Sequence, residues 1–416
     1  MVYRPPVMTA PDAPARTPIP ASIWILLSVV FVNLVGFALI LPLLPFFAES
    51  LAAEAWQITL MFSAYSVGQF FAEPFWGRLS DRIGRKPVLV VTTFANVVGY
   101  LALVFAPSIW WAVGIRLFTG LGAGNISTIQ GYVADVTPPA ERAGRMGLLG
   151  AAFGMGFVLG PAIGGLLSRD GVGPEGYHPP LYAAAAFAAA AGLGVLLFVK
   201  ESRTRAAPGA PRQRFLAGLK EAARHKVISR VLLVTFVYMA AFAGMESTFG
   251  LWAQEEFGWG AREVGLNFAV VGVVAAITQG LLVGRLGRRF GEARVVAFGV
   301  LLFGASLFLQ TVHDRQWLIP ALTAVGVFGQ ALAMPSISAL ISRSTSPDKQ
   351  GQMLGLNMAA GSASRMAGPL LAGVLFSAFG SEAPFVIGAL LVIPAAIMAI
   401  NAGRVFRREQ AAGTAA

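Results

Sequence analysis

The sequence predicts an all-α integral membrane protein with twelve transmembrane helices in two pseudo-symmetric six-helix bundles. Three observations lead there. Apolar residues make up 56% of the chain and charged ones 12%, about half the usual share of a soluble domain. Apolar runs of about 20 residues, the length that crosses a hydrocarbon core, recur along the whole chain. The pattern of the first half also returns in the second, about 207 residues later.

The repeat is clearest around Gly77-Arg78-Leu79-Ser80-Asp81-Arg82-Ile83-Gly84-Arg85-Lys86, which lies between apolar runs from Trp56 to Trp76 and from Pro87 to Ala106. The chain must reverse there, so Gly77 and Gly84 are expected to permit close packing and tight turning. Asp81 is an acid among cations, either a local neutraliser or cap, or a latch against another helix. Gly284-Arg285-Leu286-Gly287-Arg288-Arg289-Phe290-Gly291 repeats the stretch, with Arg288 where Asp81 stood. Gly147, Gly160-Pro161 and Gly165 return as Gly355, Gly368-Pro369 and Gly373 at nearly the same offset.

Residues 1–21 carry six prolines and no apolar run, which predicts a disordered cytoplasmic tail rather than a signal peptide. The N-terminal bundle covers 22–199. Its first span, 22–47, contains Asn33 and Gly36 and is bent near Pro42 and Pro45; the next five fall near 57–76, 87–106, 109–134, 143–168 and 181–199. A cytoplasmic linker at 200–229 follows. It begins rich in Pro and Ala, then places Phe215, Leu219 and Ala222 on one helical face among bases. That predicts either an amphipathic helix on the anionic inner leaflet or a plain solvated connector. The C-terminal bundle covers 230–404, with spans near 230–252, 263–284, 293–312, 317–341, 352–379 and 384–403. A short, basic, disordered tail is expected at 405–416.

The net charge of +11 and pI near 10.5 could suggest a nucleic-acid binder, but the placement of the bases excludes it. Arginines and lysines concentrate in alternate loops and the linker, whereas the other loops hold only Arg169, Arg262 and Arg315. That asymmetry marks an inner-membrane protein with both termini cytoplasmic. With no cysteine, disulfides, thiolate metal sites and cysteine nucleophiles are excluded. All three histidines fall in expected loops, so no intramembrane histidine relay is available, and no metal or cofactor is expected. Gly171-Val172-Gly173-Pro174-Glu175-Gly176 matches a dinucleotide fingerprint but lies in an outer loop with no strand before it. No phosphate-binding G-x4-G-K-[ST] motif occurs, which argues against ATP-driven transport by this chain alone.

The fifth span reads Gly147-x8-Gly156-x3-Gly160-Pro161-x2-Gly164-Gly165, with Gly150 and Gly154 between. Glycines at this spacing let another helix approach closely, and Pro161 offers a bend. Packing alone would account for them, and so would a bendable helix at the seam of two moving halves. Residues 77–86, Arg116 with Gly120, Gly122 and Gly124, the Gly147–Gly165 pattern, and Gly36-x5-Pro42-x2-Pro45 together resemble signatures of the major facilitator superfamily. The last two resemble its twelve-spanner drug:proton antiporter branch, tetracycline/multidrug efflux-like. The resemblance implies that Asp81 latches against the eleventh span and that Arg82 pairs with Asp135 at the end of the fourth. Gly77, Asp81, Arg82, Arg85, Asp135, Gly160 and Pro161 are therefore the candidate gating set. Arg288 replaces the acid in the second half, which leaves a symmetrical second latch in doubt.

Charges within spans are expensive and therefore informative. Arg116 lies one to two turns into span four, either as a hydrogen-bond hub or, as the resemblance implies, in proton transfer or gating. Glu246 in span seven and Arg365 in span eleven lie at similar depth, so they either pair or leave Glu246 as a proton carrier. Glu73 shares a helical stripe with Ser66 and Gln69, consistent with a cavity wall or with a partner for loop arginines. The candidate proton-coupling set is thus Glu246, Glu73, Arg116 and Arg365. Asn33, Gln69, Gln130, Asn267, Gln279 and Gln330 are candidate substrate contacts.

These residues point to a monomeric secondary transporter. It would be a proton-coupled efflux antiporter of drugs or small organic molecules, its partners being protons, cargo and the bilayer. A proton-coupled importer of a metabolite on the same fold is the alternative. A non-transporting receptor or scaffold is more remote, and an enzyme is disfavoured because no nucleophile–base pairing lies in the spans.

Overall fold

The computed structural model describes residues 21–138, 141–202, 215–346 and 349–414, which are helical almost throughout, with no strand among them. The proline-rich stretch 1–20 and the linker's first part, 203–214, lie outside the described residues. In the first half, α1 (Ala21–Ile40) stops at a turn containing Pro42 and resumes as α2 (Leu44–Ser50). Pro45 sits in the first turn of α2, where a missing N–H leaves no bond unmade. Then come α3 (Ala55–Ile83), α4 (Arg85–Val104), α5 (Ile109–Gly122), α6 (Ile126–Asp135), α7 (Arg142–Leu167) and α8 (His178–Phe198). The second half holds α9 (Phe215–Arg224), α10 (Lys226–Phe257), α11 (Ala261–Ile277), α12 (Val283–Phe290), α13 (Glu292–Thr311), α14 (Ile319–Arg343), α15 (Gln350–Phe379) and α16 (Ala383–Thr414). A π-helical turn at Thr278–Leu282 joins α11 to α12.

Among the described residues, nine helices are long and apolar enough to cross a membrane by length and composition. The other three expected positions are filled by α3 and α15, which carry more polar residues, and by α5 and α6, separated by a break at 123–125. Within the first half α1 packs on α7 and α8, and α3 on α5; within the second, α10 packs on α15 and α16, and α13 on α14. The halves meet where α7 lies along α11, α3 along α15, and α2 against α10. Trp110, Trp111 and Trp317 stand exposed at helix starts, as expected of interfacial aromatic side chains.

The basic stretch differs from its expected form. It is not a loop: α3 continues to Ile83, and the chain reverses at Gly84 alone, with φ +105°. The two expected glycine roles divide: Gly84 makes the turn, and Gly77 the close packing, since a Cβ there would stand 3.2 Å from Ser127 Oγ. Gly291, with φ +82°, makes the equivalent single-residue reversal between α12 and α13. Two further expectations change. The tail after Arg404 is helical to Thr414, because its Arg, Glu, Gln and Ala residues form helix readily and nothing breaks it. Helix α9 does form, but its expected apolar stripe divides. Ala222 is buried, Glu221 pairs with Lys349 at 2.6 Å, and Leu219 stays exposed; the Phe215 side chain is outside the described residues.

Candidate functional site: a cavity between the two halves

Contacts between the halves are tight at one end of the molecule, and the glycines of α7, the π-helical turn and α12 toward the other end meet no close neighbour from the opposite half. At the face away from the Gly84 and Gly291 turns, a Cβ on Gly165 would lie 2.8 Å from the Ala261 carbonyl, and one on Gly265 would lie 2.5 Å from that of Pro161. Asp170, after α7, reaches the start of α11, where its Oδ1 accepts from the Ala261 N–H at 3.4 Å and from the Tyr177 hydroxyl at 3.2 Å. Gly250 of α10 faces Pro45 and Phe46, and Gly373 of α15 abuts Thr59. Moving toward the basic face, Gly154 still meets Ala276 at 3.8 Å, but Gly150, Gly147, Gly280 and Gly287 meet nothing within 4 Å. The far face is sealed and the basic face is slack.

The glycines of α7 serve two neighbours at once. Gly156, Gly160 and Gly164 admit Leu34, Ala38 and Leu39 of α1, whereas Pro161 and Gly165 touch α11. The helix carrying the Gly160-Pro161 pair thus sits between its own bundle and the other one.

Between the halves is a cavity of about 580 Å³. Asn33, Gln69, Arg116, Glu246 and Arg365 line it, as the sequence suggested. Gln130, Asn267, Gln279 and Gln330 are not in its lining. Asn267 is buried and its amide donates to Thr323 Oγ1 at 3.5 Å, and Gln279 is exposed in the π-helical turn. Tyr65, Asn96 and Asn125 line the wall although the sequence did not mark them as cavity residues; Tyr65 lies one turn before Gln69, and both asparagines stand in apolar spans. Most of the remaining wall is apolar, including Phe37, Phe62, Phe153 and Phe157.

Charge is distributed unevenly across this site. Arg365 is within electrostatic reach of Glu246, Glu73 and Tyr65, but forms no ion pair within 4 Å among the described residues; its Nη2 donates to Ser362 Oγ at 3.1 Å. Glu73 is half-buried on α3 and stands outside the lining. Arg116 is 1% exposed and stacks on the Tyr65 ring, with its guanidinium carbon 4.2 Å from the ring centroid. Among the described residues its Nε and Nη1 have no hydrogen-bond partner.

A second cluster ties the basic face of the first half together, and it corrects one expectation. Arg85, not Arg82, pairs with Asp135, at 3.1 Å, and also with Asp81 at 2.9 Å and Ser80 Oγ at 2.6 Å. The cause is the continued helix, which turns Arg82 outward to an exposed position while Arg85, first residue of α4, reaches back toward α6. Gly131 leaves room for it, since a Cβ there would stand 2.7 Å from the guanidinium carbon. Glu201, not foreseen from the sequence, accepts from the N–H groups of Arg85 and Lys86 at 2.8 and 3.1 Å, and so caps α4. The contact between Gly373 of α15 and Thr59 of α3 lies at the far face, so it is not the expected latch between Asp81 and the eleventh span.

The profile of the Major Facilitator Superfamily matches residues 26–279 and again 231–414. The chain belongs to that superfamily. Within it, the chain is 28% identical over 383 residues to the tetracycline resistance protein, class C, of Escherichia coli, covering 89% of this chain and 94% of that one. It is 26% identical to multidrug resistance protein 2 of Bacillus subtilis (strain 168), covering 89% and 92%. Among solved structures it resembles the human organic anion transporter MFSD10 (TETRAN), at TM-score 0.69 and 26% identity, over 92% of this chain and all of that one. A superfamily member of this shape is an integral, multi-pass membrane transporter.

Proposed function

We propose that this chain is a proton-coupled antiporter that expels drugs or other small organic molecules by alternating access. The two bundles, 22–199 and 230–404, rock about the cavity as a monomer, joined by the 200–229 linker. The basic face is cytoplasmic, in an inner or plasma membrane, with both termini there and the anionic leaflet against the arginine-rich turns. Loop charge supports that orientation. The observation that carries the function is the cavity itself. It is closed at one face, loose at the other, mostly apolar, and holds ionisable side chains at a depth where they are costly.

In this scheme the present form is open to the cytoplasm and takes up cargo. When the far face opens, a proton from outside binds the Glu246 carboxylate and cancels the negative charge facing Arg365, and cargo leaves. Once the cavity faces inward again, Glu246 gives the proton to the cytoplasm. Glu73, also near Arg365, is the second candidate carrier, and Arg116 tunes proton release. The Asp81–Arg85–Asp135 cluster holds the basic face in order and latches against α15 when that face shuts, while Gly160 and Pro161 let α7 follow the motion.

The test is transport in everted vesicles energised by a pH gradient. Glu246→Gln should abolish gradient-driven accumulation while membrane insertion and folding stay intact. Full activity in that variant removes Glu246 from the mechanism. Accumulation by right-side-out rather than everted vesicles would make the protein an importer.

A further inference from the structure

The cavity's acids and bases are not matched one to one. Both acids near the site, Glu73 and Glu246, lie within reach of Arg365. Among the described residues, the titratable groups within reach of Arg116 are the hydroxyls of Tyr65 and Tyr100. Arg116 therefore holds a buried positive charge with no carboxylate partner among the described residues. Its flat face is used by the stack on Tyr65, which leaves its N–H edge directions, and two of those nitrogens have no acceptor among the described residues. A guanidinium in that condition gains strongly from a charged acceptor, because its desolvation is already accomplished and the remaining bonds are charge-assisted.

A second feature of the same span points the same way. The fourth span is broken at 123–125, and α6 restarts at Ile126 with no side-chain cap on its N-terminus. Ala123, Asn125, Ile126 and Ile129 all belong to the cavity wall, so the restart, ten residues further along the span, faces the same cavity as Arg116. The first N–H groups of a helix lack intrahelical acceptors and carry partial positive charge. A break within a membrane span that faces a cavity is a recurrent way of holding an anionic group.

We infer that Arg116 forms an anion subsite, with the start of α6 adding positive potential on the same cavity wall, and that the cargo is an organic acid: an apolar, aromatic-compatible body against Phe37, Phe62, Phe153 and Phe157, with one carboxylate or similar group on Arg116. The inference rests on reading this cavity as the transport site. It also separates recognition from coupling: Arg116 meets the anion, while Glu246 and Glu73, both near Arg365, handle the proton.

Three compounds on one skeleton test it: 2-naphthoate, its methyl ester, and 2-naphthylmethylammonium. Binding to the purified protein is measured by calorimetry. The wild type is expected to bind the acid about 10- to 100-fold more tightly than the ester, the range for hydrogen bonds to a charged group. It should bind the ammonium compound most weakly. Arg116→Gln should bring the acid down to the level of the ester, and Arg116→Lys should restore part of the difference. Equal binding of acid and ester by the wild type overturns the inference without any variant, and so does preference for the cation. Equal loss of acid and ester in a folded Arg116→Gln protein assigns Arg116 to structure and overturns it too. Proteoliposomes keep the two levels apart. Ester moved under a pH gradient, with no preference for the acid, ends the anion subsite and leaves the transporter. Failure to move any of the three removes the transport site on which the subsite rests.

Discussion

A methyl group at Gly265 should tip the protein away from the form described above. In this form a Cβ at Gly265 would stand 2.5 Å from the Pro161 carbonyl oxygen and 2.9 Å from the Gly165 Cα. Both neighbours are backbone, so neither can rotate aside, and α7 and α11 must part by about 0.5–1 Å to reach ordinary contact. Overpacking of that kind costs about 1–3 kcal/mol. The cost falls only on the far-sealed form, because the same helices separate there when the far face opens. Gly265→Ala should therefore shift the ratio of the two forms by about 5- to 150-fold toward the far-open one. The chain has no cysteine, so spin labels on introduced cysteine pairs give a clean report. One pair at 147 and 287 spans the basic face, and another at 169 and 262 spans the far face. The wild type should show a long distance across the first and a short one across the second, and Gly265→Ala should exchange them. An unchanged distance distribution in a folded Gly265→Ala protein would refute the claim that the α7–α11 contact is the far-side seal.

The basic face yields two further expectations. Arg85→Ala removes the shared partner of Asp81, Asp135 and Ser80 and should cost about 1–3 kcal/mol, less than a fully buried pair because both carboxylates are partly exposed. Arg82→Ala should change thermal stability by under about 0.5 kcal/mol; equal losses in the two variants would reverse the assignment. Gly84→Ala should destabilise more than Gly291→Ala. Both positions have positive φ with extended ψ, a sparsely populated region that costs a side chain about 1–3 kcal/mol, but only Gly84 also has the Glu201 carboxylate against the added Cβ. Comparing melting temperatures of the two variants checks the ranking, and a larger loss at Gly291 would contradict it.

What the sequence disclosed followed from periodicity, and what it hid followed from orientation. Glycines repeated every four residues on the fifth span announced close helix approach, and each of Gly156, Gly160, Gly164 and Gly165 does admit a neighbour. The offset between Gly84 and Gly291 survives as two matching reversals with positive φ. Nothing in the order of residues showed that α3 would run on to Ile83, because a basic stretch between apolar runs reads equally well as loop or as helix leaving the bilayer. That one difference exchanged Arg82 for Arg85 in the ion-pair cluster, since each helical residue turns its side chain by about 100° from the last. Orientation also decided the polar residues. Asn33 and Gln69 face the cavity, but Asn267 turns to Thr323 within its own bundle, and polarity in a span does not distinguish the two. Tyr65 and Asn96 were overlooked for the opposite reason, since an aromatic or a single amide in apolar surroundings carries no signal that separates a cavity wall from packing.

The central claim is that the scarce ionisable groups on this cavity exchange protons for cargo. Simultaneous recording of substrate and proton flux in one proteoliposome preparation tests it most directly. Wild-type protein should move protons opposite to substrate at a fixed ratio. Glu246→Gln should still exchange labelled for unlabelled substrate across the bilayer while moving no protons. Proton flux that stays tied to substrate at the wild-type ratio in Glu246→Gln, and again in Glu73→Gln, would contradict the account.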